Sequence, residues 1–119
     1  MKFMLLVHET TRPGEPPAEL FAAIGAIGAQ ESAAGTLVDV GGMLPIQDGS
    51  VVTLASGTIA TTDGTSVSAK ELAGGYSVYE LTDLAEANEK ARAFLQAHAE
   101  TWPGWEGWVE VRALMGQPS

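Results

Sequence analysis

Lys2-Phe3-Met4-Leu5-Leu6-Val7-His8 and Trp108-Val109-Glu110-Val111-Arg112-Ala113-Leu114 decide how this chain folds. Successive side chains of a strand point to opposite faces of its sheet. Phe3, Leu5 and Val7 therefore share one face in the first stretch, and Val109, Val111 and Ala113 share one in the last. These apolar sets belong beneath helices. The opposite sets mix Lys2, Met4, Leu6 and His8 with Trp108, Glu110, Arg112 and Leu114.

Between these strands the chain reads as alternating elements. Arg12-Pro13-Gly14-Glu15-Pro16-Pro17 breaks structure after the first strand, and Pro17 suits the first turn of a helix. Leu20, Ile24 and Ile27 recur at helical spacing across residues 18–34, and Gly35 supplies the stop. Gly25 and Gly28 inside that helix imply close packing against the sheet or a partner helix. Residues 36–40 are a short strand, with Gly41-Gly42 as a break. Residues 50–55 and 58–62 form a hairpin joined by Ser56-Gly57. After the Asp63-Gly64 turn, residues 75–81 are a strand. Asp83 and Glu86 make a capping-box-like start to a helix running to about Ala99. That helix carries Leu84, Ala87, Ala91, Phe94 or Leu95, and His98 along one face.

The order is β-α-β-(β-hairpin)-α-β, which predicts an α+β, ferredoxin-like antiparallel sheet with two helices on one face. A single domain over residues 1–115 is expected, with 116–119 as a tail. Two helices cover one sheet face and leave the other bare. An apolar face of that size is unusual on a monomer. A second copy related by a two-fold axis is the simplest cover. The competing reading is a monomer whose 41–50 loop folds over the sheet. Two facing sheets would enclose a mixed apolar and polar cavity, a common setting for a small-molecule site.

Composition narrows the partners. The chain has 119 residues, 15 acidic against 6 basic, and a net charge of −9. Its cations, Lys2, Arg12, Lys70, Lys90, Arg92 and Arg112, are scattered, so neither a phosphate backbone nor an anionic membrane surface is an expected partner. No run approaches the about 18–20 apolar residues that cross a bilayer. No cleavable leader is evident in the opening residues, and cytoplasmic localisation is expected. Without cysteine there is no disulfide framework, thiolate zinc site or Cys-His nucleophile. No Gly-x-Ser-x-Gly elbow, phosphate loop or metal-ligand spacing occurs, and no cofactor or metal is expected.

If the terminal strands are neighbours, His8 and Glu110 meet as an acid–base pair. Arg112 and Trp108 then line the same face, and Arg112 offers a fork for an anion. The bland alternative is a Glu110–Arg112 ion pair beside a satisfied interface histidine. Asp63 and Lys70 are candidates for the cavity rim, against a turn-supporting aspartate and a solvated ion pair. His98, near a helix C-terminus, reads as structural. Trp102, Trp105 and Trp108 fall within seven residues and suit a pocket, an interface or loop packing.

From Asp63-Gly64-Thr65-Ser66-Val67-Ser68-Ala69-Lys70-Glu71-Leu72-Ala73-Gly74-Gly75-Tyr76 the chain resembles the YCII-related family in its DGPF-type branch. That branch reads Asp-Gly-Pro-Phe, a short acidic linker, Lys-Glu, then Gly-Gly-Tyr. Met1–Val7, Ala34-Gly35-Thr36-Leu37, Gly41-Gly42-Met43-Leu44-Pro45, Asp83-Leu84-Ala85-Glu86-Ala87 and Val109-Glu110-Val111-Arg112 agree in order and spacing. The resemblance implies a dimeric α/β-barrel and no particular reaction. Two functional directions follow, the first from the cavity between two sheets and the second from the resemblance. One is a small-molecule-binding homodimer with weak enzymatic activity. The other is a regulatory or interaction protein linked to extracytoplasmic-function sigma factors. Some relatives are proposed enzymes with a His/Asp pair, but the position of that histidine falls at Ala18 and Glu19 here, so the proposal does not transfer. Thr65-Ser66 also replaces Pro-Phe, and Ser68 stands where the linker carries an acid.

Overall fold

The computed structural model describes residues 1–67 and 73–116. Its elements are β1 (Lys2–Thr11), α1 (Ala18–Ala34), β2 (Leu37–Gly42), β3 (Ser50–Ala55), β4 (Thr58–Asp63), β5 (Gly75–Glu80), α2 (Leu84–Thr101) and β6 (Glu106–Ala113). Two 3₁₀ turns, Ile46–Asp48 and Gly64–Ser66, flank the β3–β4 hairpin. Four strands form one antiparallel sheet in the order β2-β5-β1-β6, and among the described residues β3 and β4 pair only with each other. The arrangement is α+β and consistent with the ferredoxin-like plan.

The terminal strands are neighbours. β1 and β6 align Phe3 with Ala113, Leu5 with Val111 and Val7 with Val109, so the apolar sets share one face. Phe3, Leu5 and Tyr79 from the sheet pack with Leu81 and with Ala87 and Ala91 of α2, and with the half-buried Leu37, Val109 and Val111. Alanines on α2 let its backbone lie close to the sheet. Asp83 accepts from the Glu86 N–H at 2.9 Å and starts the helix. Leu84, expected on the packed face, is exposed because it is the first helical residue and lies beyond the sheet's cover.

Helix α1 runs over the expected residues, and Gly35 ends it at φ +77°, donating to Glu31 and Ser32 carbonyls. It buries only Leu20 and Glu31. The close packing expected at Gly25 and Gly28 is not present within the described chain: a Cβ at either would meet no described atom within 4 Å. The helix is instead tied near its C-terminal end. Lys90 of α2 donates to Glu31 at 2.9 Å, and Thr36 donates to the other Glu31 oxygen. Burial pushes the Glu31 carboxyl up, but the Thr36 and Lys90 hydrogen bonds and the lysine charge outweigh it and leave it lowered.

Gly41-Gly42, read as a break, continues β2 and pairs with Tyr76 and Gly75. The reason is steric. The Tyr76 ring crosses Gly41, where a Cβ would stand 2.7 Å from Cε1. In the hairpin turn Ser56 and Gly57 both take positive φ, at 51° and 76°, as a two-residue connection between twisted strands requires.

The molecule is flat, 45 × 45 × 19 Å, with a Cα radius of gyration of 16.2 Å. A compact domain of this length has about 13–14 Å. Its surface is 7941 Å², against about 6,100 Å² for a compact protein of its mass. Exposed apolar residues contribute to this excess. Val52, Leu54 and Ile59 of the hairpin and Met43 and Leu44 before it are all exposed. No described helix is long and apolar enough to cross a membrane.

Candidate functional site

The face opposite the helices brings together the residues expected there. The β1–β6 register places His8 against Trp108, Leu6 against Glu110 and Met4 against Arg112. On β5, Tyr76 and Val78 lie opposite Leu6 and Met4 and extend the same face. The His8 imidazole lies on the Trp108 indole with centroids 3.9 Å apart and planes 9° from parallel. His8 Nε2 is 3.2 Å from Glu110 Oε1, and Arg112 Nη1 donates to Glu110 Oε2 at 2.9 Å. The three side chains form a chain from a buried imidazole to an exposed guanidinium.

Exposure is graded along it. His8 is 6% exposed, and the Arg112 side chain is 68% exposed. The Arg112 hydrogen bond, then the His8 one, holds the Glu110 carboxyl below its usual range despite some desolvation. An ionised carboxylate only accepts, so His8 donates from Nε2. In the neutral ring the lone pair then sits on Nδ1. That atom is buried and has no hydrogen-bond partner among the described residues. A buried polar atom without a partner is costly and calls for a water, a ligand or a partner group. A histidine oriented by a carboxylate, with its second nitrogen free, can take a proton or accept a hydrogen bond. Arg112 uses one described N–H on Glu110 and has further donors for an anion.

A second concavity lies on the helix side. A groove of about 930 Å³ runs between α1, the helix-side face of the sheet and the turn after β2. Its lining includes Leu20, Ile24 and Ile27 of α1, and Phe94, His98 and Trp105 at one end.

The YCII-related domain matches the chain over residues 1–112. The chain belongs to that family. No curated protein matches it.

The remaining candidates of this YCII-related chain separate from the His8 cluster. Asp63 caps its own 3₁₀ turn, accepting from the Thr65 N–H at 2.9 Å and the Thr65 hydroxyl at 2.8 Å. Those two bonds lower its carboxyl, the backbone one most. Both of its described bonds serve the turn. Lys70 lies outside the described residues, as do Ser68 and Glu71. Gly64, beside Asp63, is wedged between two turns: a Cβ there would fall on the Ile46 carbonyl oxygen. No group of three or more histidine, aspartate or glutamate side chains suited to a metal ion occurs among the described residues.

The tryptophans divide their roles. Trp102 is buried and donates to the Pro13 carbonyl at 3.2 Å, with the Arg12 guanidinium 5.4 Å above its ring. Trp105 donates to Glu9 at 2.8 Å, and Glu9 also pairs with Arg12 at 3.1 Å. This network pins the loop before β6 to the end of β1. Only Trp108 is exposed, at 49%. Sequence reasoning missed Glu9, which extends β1 beyond the expected strand, and Arg12, which opens the breaker segment; neither carries a periodic signal. It also missed the contact of His98 with Trp105, since two elements remote in sequence create it.

Proposed function

We propose that this protein, a member of the DGPF-type branch, works as a homodimer that binds a small anionic molecule on the open sheet face. His8, Trp108, Glu110 and Arg112 line the site. The observation that carries this reading is the unpartnered, buried Nδ1 of His8, oriented by Glu110 beside an exposed Arg112. Arg112 supplies donors and charge to the anion, Trp108 a flat apolar wall, and His8 Nδ1 accepts a hydrogen bond. The same pair supports a weak general-base activity on a bound acid.

Dimerisation is supported by shape. The surface excess of about 1,800 Å² over a compact chain compares with about 800 Å² buried per partner in a standard interface. Light scattering after gel filtration should give twice the 12.4 kDa chain mass. A screen of small carboxylates and phosphates by thermal shift should raise the melting temperature of wild type and not of Arg112→Ala. Equal shifts in both proteins, or none in either, would remove the site.

A second reading is a regulatory protein that engages an extracytoplasmic-function sigma factor. Exposed apolar residues of the hairpin, Leu54 and Ile59 at 71% each, favour it. Its test is co-purification with a sigma factor that is lost in Leu54→Lys. Retention of the partner by that variant would remove the hairpin from the interaction.

A further inference from the structure

The groove on the helix side is separated from the His8 site by the sheet itself. Val7, Leu37 and Tyr79 line its floor, and these residues point away from the face that carries Leu6 and His8. Its walls are mostly apolar, with Glu9, Thr10 and Arg12 near the aromatic end, yet the described residues do not fill it. Gly28 borders the groove with no described atom within 4 Å of a Cβ built on it. A helix with Leu20, Ile24 and Ile27 toward the sheet would normally close down on it.

One polar group at the aromatic end is prepared. His98 is 6% exposed and packs between Phe94 and Trp105, at centroid distances of 4.7 and 4.2 Å. Its Nδ1 lies 2.9 Å from the Phe94 carbonyl oxygen. A carbonyl only accepts, so Nδ1 carries a proton and the lone pair of the neutral ring is on Nε2. Nε2 has no hydrogen-bond partner among the described residues, and His98 lines the groove. With Nδ1 tied to its own helix, Nε2 is the ring nitrogen left for a ligand in that space.

We propose that this groove is a second binding site, for a flat, largely apolar molecule carrying one hydrogen-bond donor, of the phenol or naphthol class. The ring lies against Trp105 and the α1 side chains, and its hydroxyl donates to His98 Nε2. Small-molecule sites have this composition, an apolar wall with few fixed polar groups. The volume admits a ligand of two or three fused rings, and the aromatic end favours stacked or tilted rings.

The test is a titration of ¹⁵N-labelled protein at pH 8 with 1-naphthol and with 1-methoxynaphthalene, which has no donor. The expected result is about fivefold or tighter binding of 1-naphthol, with shifts at Gly28, Gly74 and the Trp105 indole N–H. His98→Phe keeps a ring and removes the acceptor, so it should bring the two affinities together. Gly28→Leu places a side chain in the open space and should weaken both probes at least tenfold. This variant favours the helix and stays informative if His98→Phe does not fold. Failure of wild type to bind either probe overturns the proposal. So do equal affinities in wild type, shifts confined to the His8 face, or full binding by Gly28→Leu.

Discussion

His8 lies parallel to Trp108, 3.9 Å between ring centroids, on the face of the sheet that the helices leave open. The register makes them direct cross-strand neighbours. Trp108, on the edge strand β6, thereby shields an imidazole of the inner strand β1 that the open face would otherwise expose. Their contact links the most buried polar residue of the face to its most exposed aromatic one.

That stacking has a measurable coupling. Trp108→Ala and His8→Ala should each destabilise the protein. A double-mutant cycle in urea should return about 0.5–1.5 kcal/mol of interaction between them. Additive effects would show that the rings merely lie side by side.

Glu110 sets a pH dependence. Its carboxyl is lowered first by Arg112 and then by His8. A lowered carboxylate contributes stability that is complete above its unfolded value and is lost as pH falls through the folded one. Arg112→Ala should therefore move the Glu110 carboxyl upward in a ¹³C NMR titration, toward the ordinary range. A titration unchanged by the substitution contradicts the pairing.

Glu31 sits in the last turn of α1, the end where the helix dipole disfavours an acid, and is buried. Lys90 offsets both costs. Lys90→Met should destabilise by about 1–3 kcal/mol, below the loss for a fully buried pair because Lys90 keeps partial exposure. With the lysine gone, the upward push of burial is less opposed. The rise of stability from acid to neutral pH should flatten, as urea midpoints at several pH values would reveal. A parallel pH profile in the variant argues against the pair.

Gly64 tolerates no side chain. A Cβ would collide with the Ile46 and Gly49 carbonyls, and the Gly64 N–H donates to Gly49 at 2.9 Å. Gly64→Ala should cost about 2 kcal/mol or more, by backbone displacement rather than φ strain. Amide spectra should change most at residues 46–49 and along the hairpin. Wild-type stability in this variant would mean that the two turns are not in register.

Much of the site was legible in advance because strand parity is a local rule. Once residues 2–8 and 108–114 were read as strands, His8, Glu110, Arg112 and Trp108 had to share a face if those strands paired. Both helices followed from periodicity, from the stop at Gly35 and from the cap at Asp83. Gly41-Gly42 was misread because a glycine pair looks like a break until the tyrosine that needs the room is brought beside it. The packing expected at Gly25 and Gly28 failed within the described chain for a related reason. A missing side chain permits contact, but what approaches is set by distant residues.

The order of strands and helices, the two sheet faces and their chemical character were written in the sequence, since each depends on spacings of two to four residues. Which nitrogen of His8 carries the proton, the packing of His98 against Trp105, and the groove beneath α1 were decided only by the tertiary structure. Hydrogen bonds and cavities form between residues up to a hundred positions apart, and no local periodicity encodes those distances.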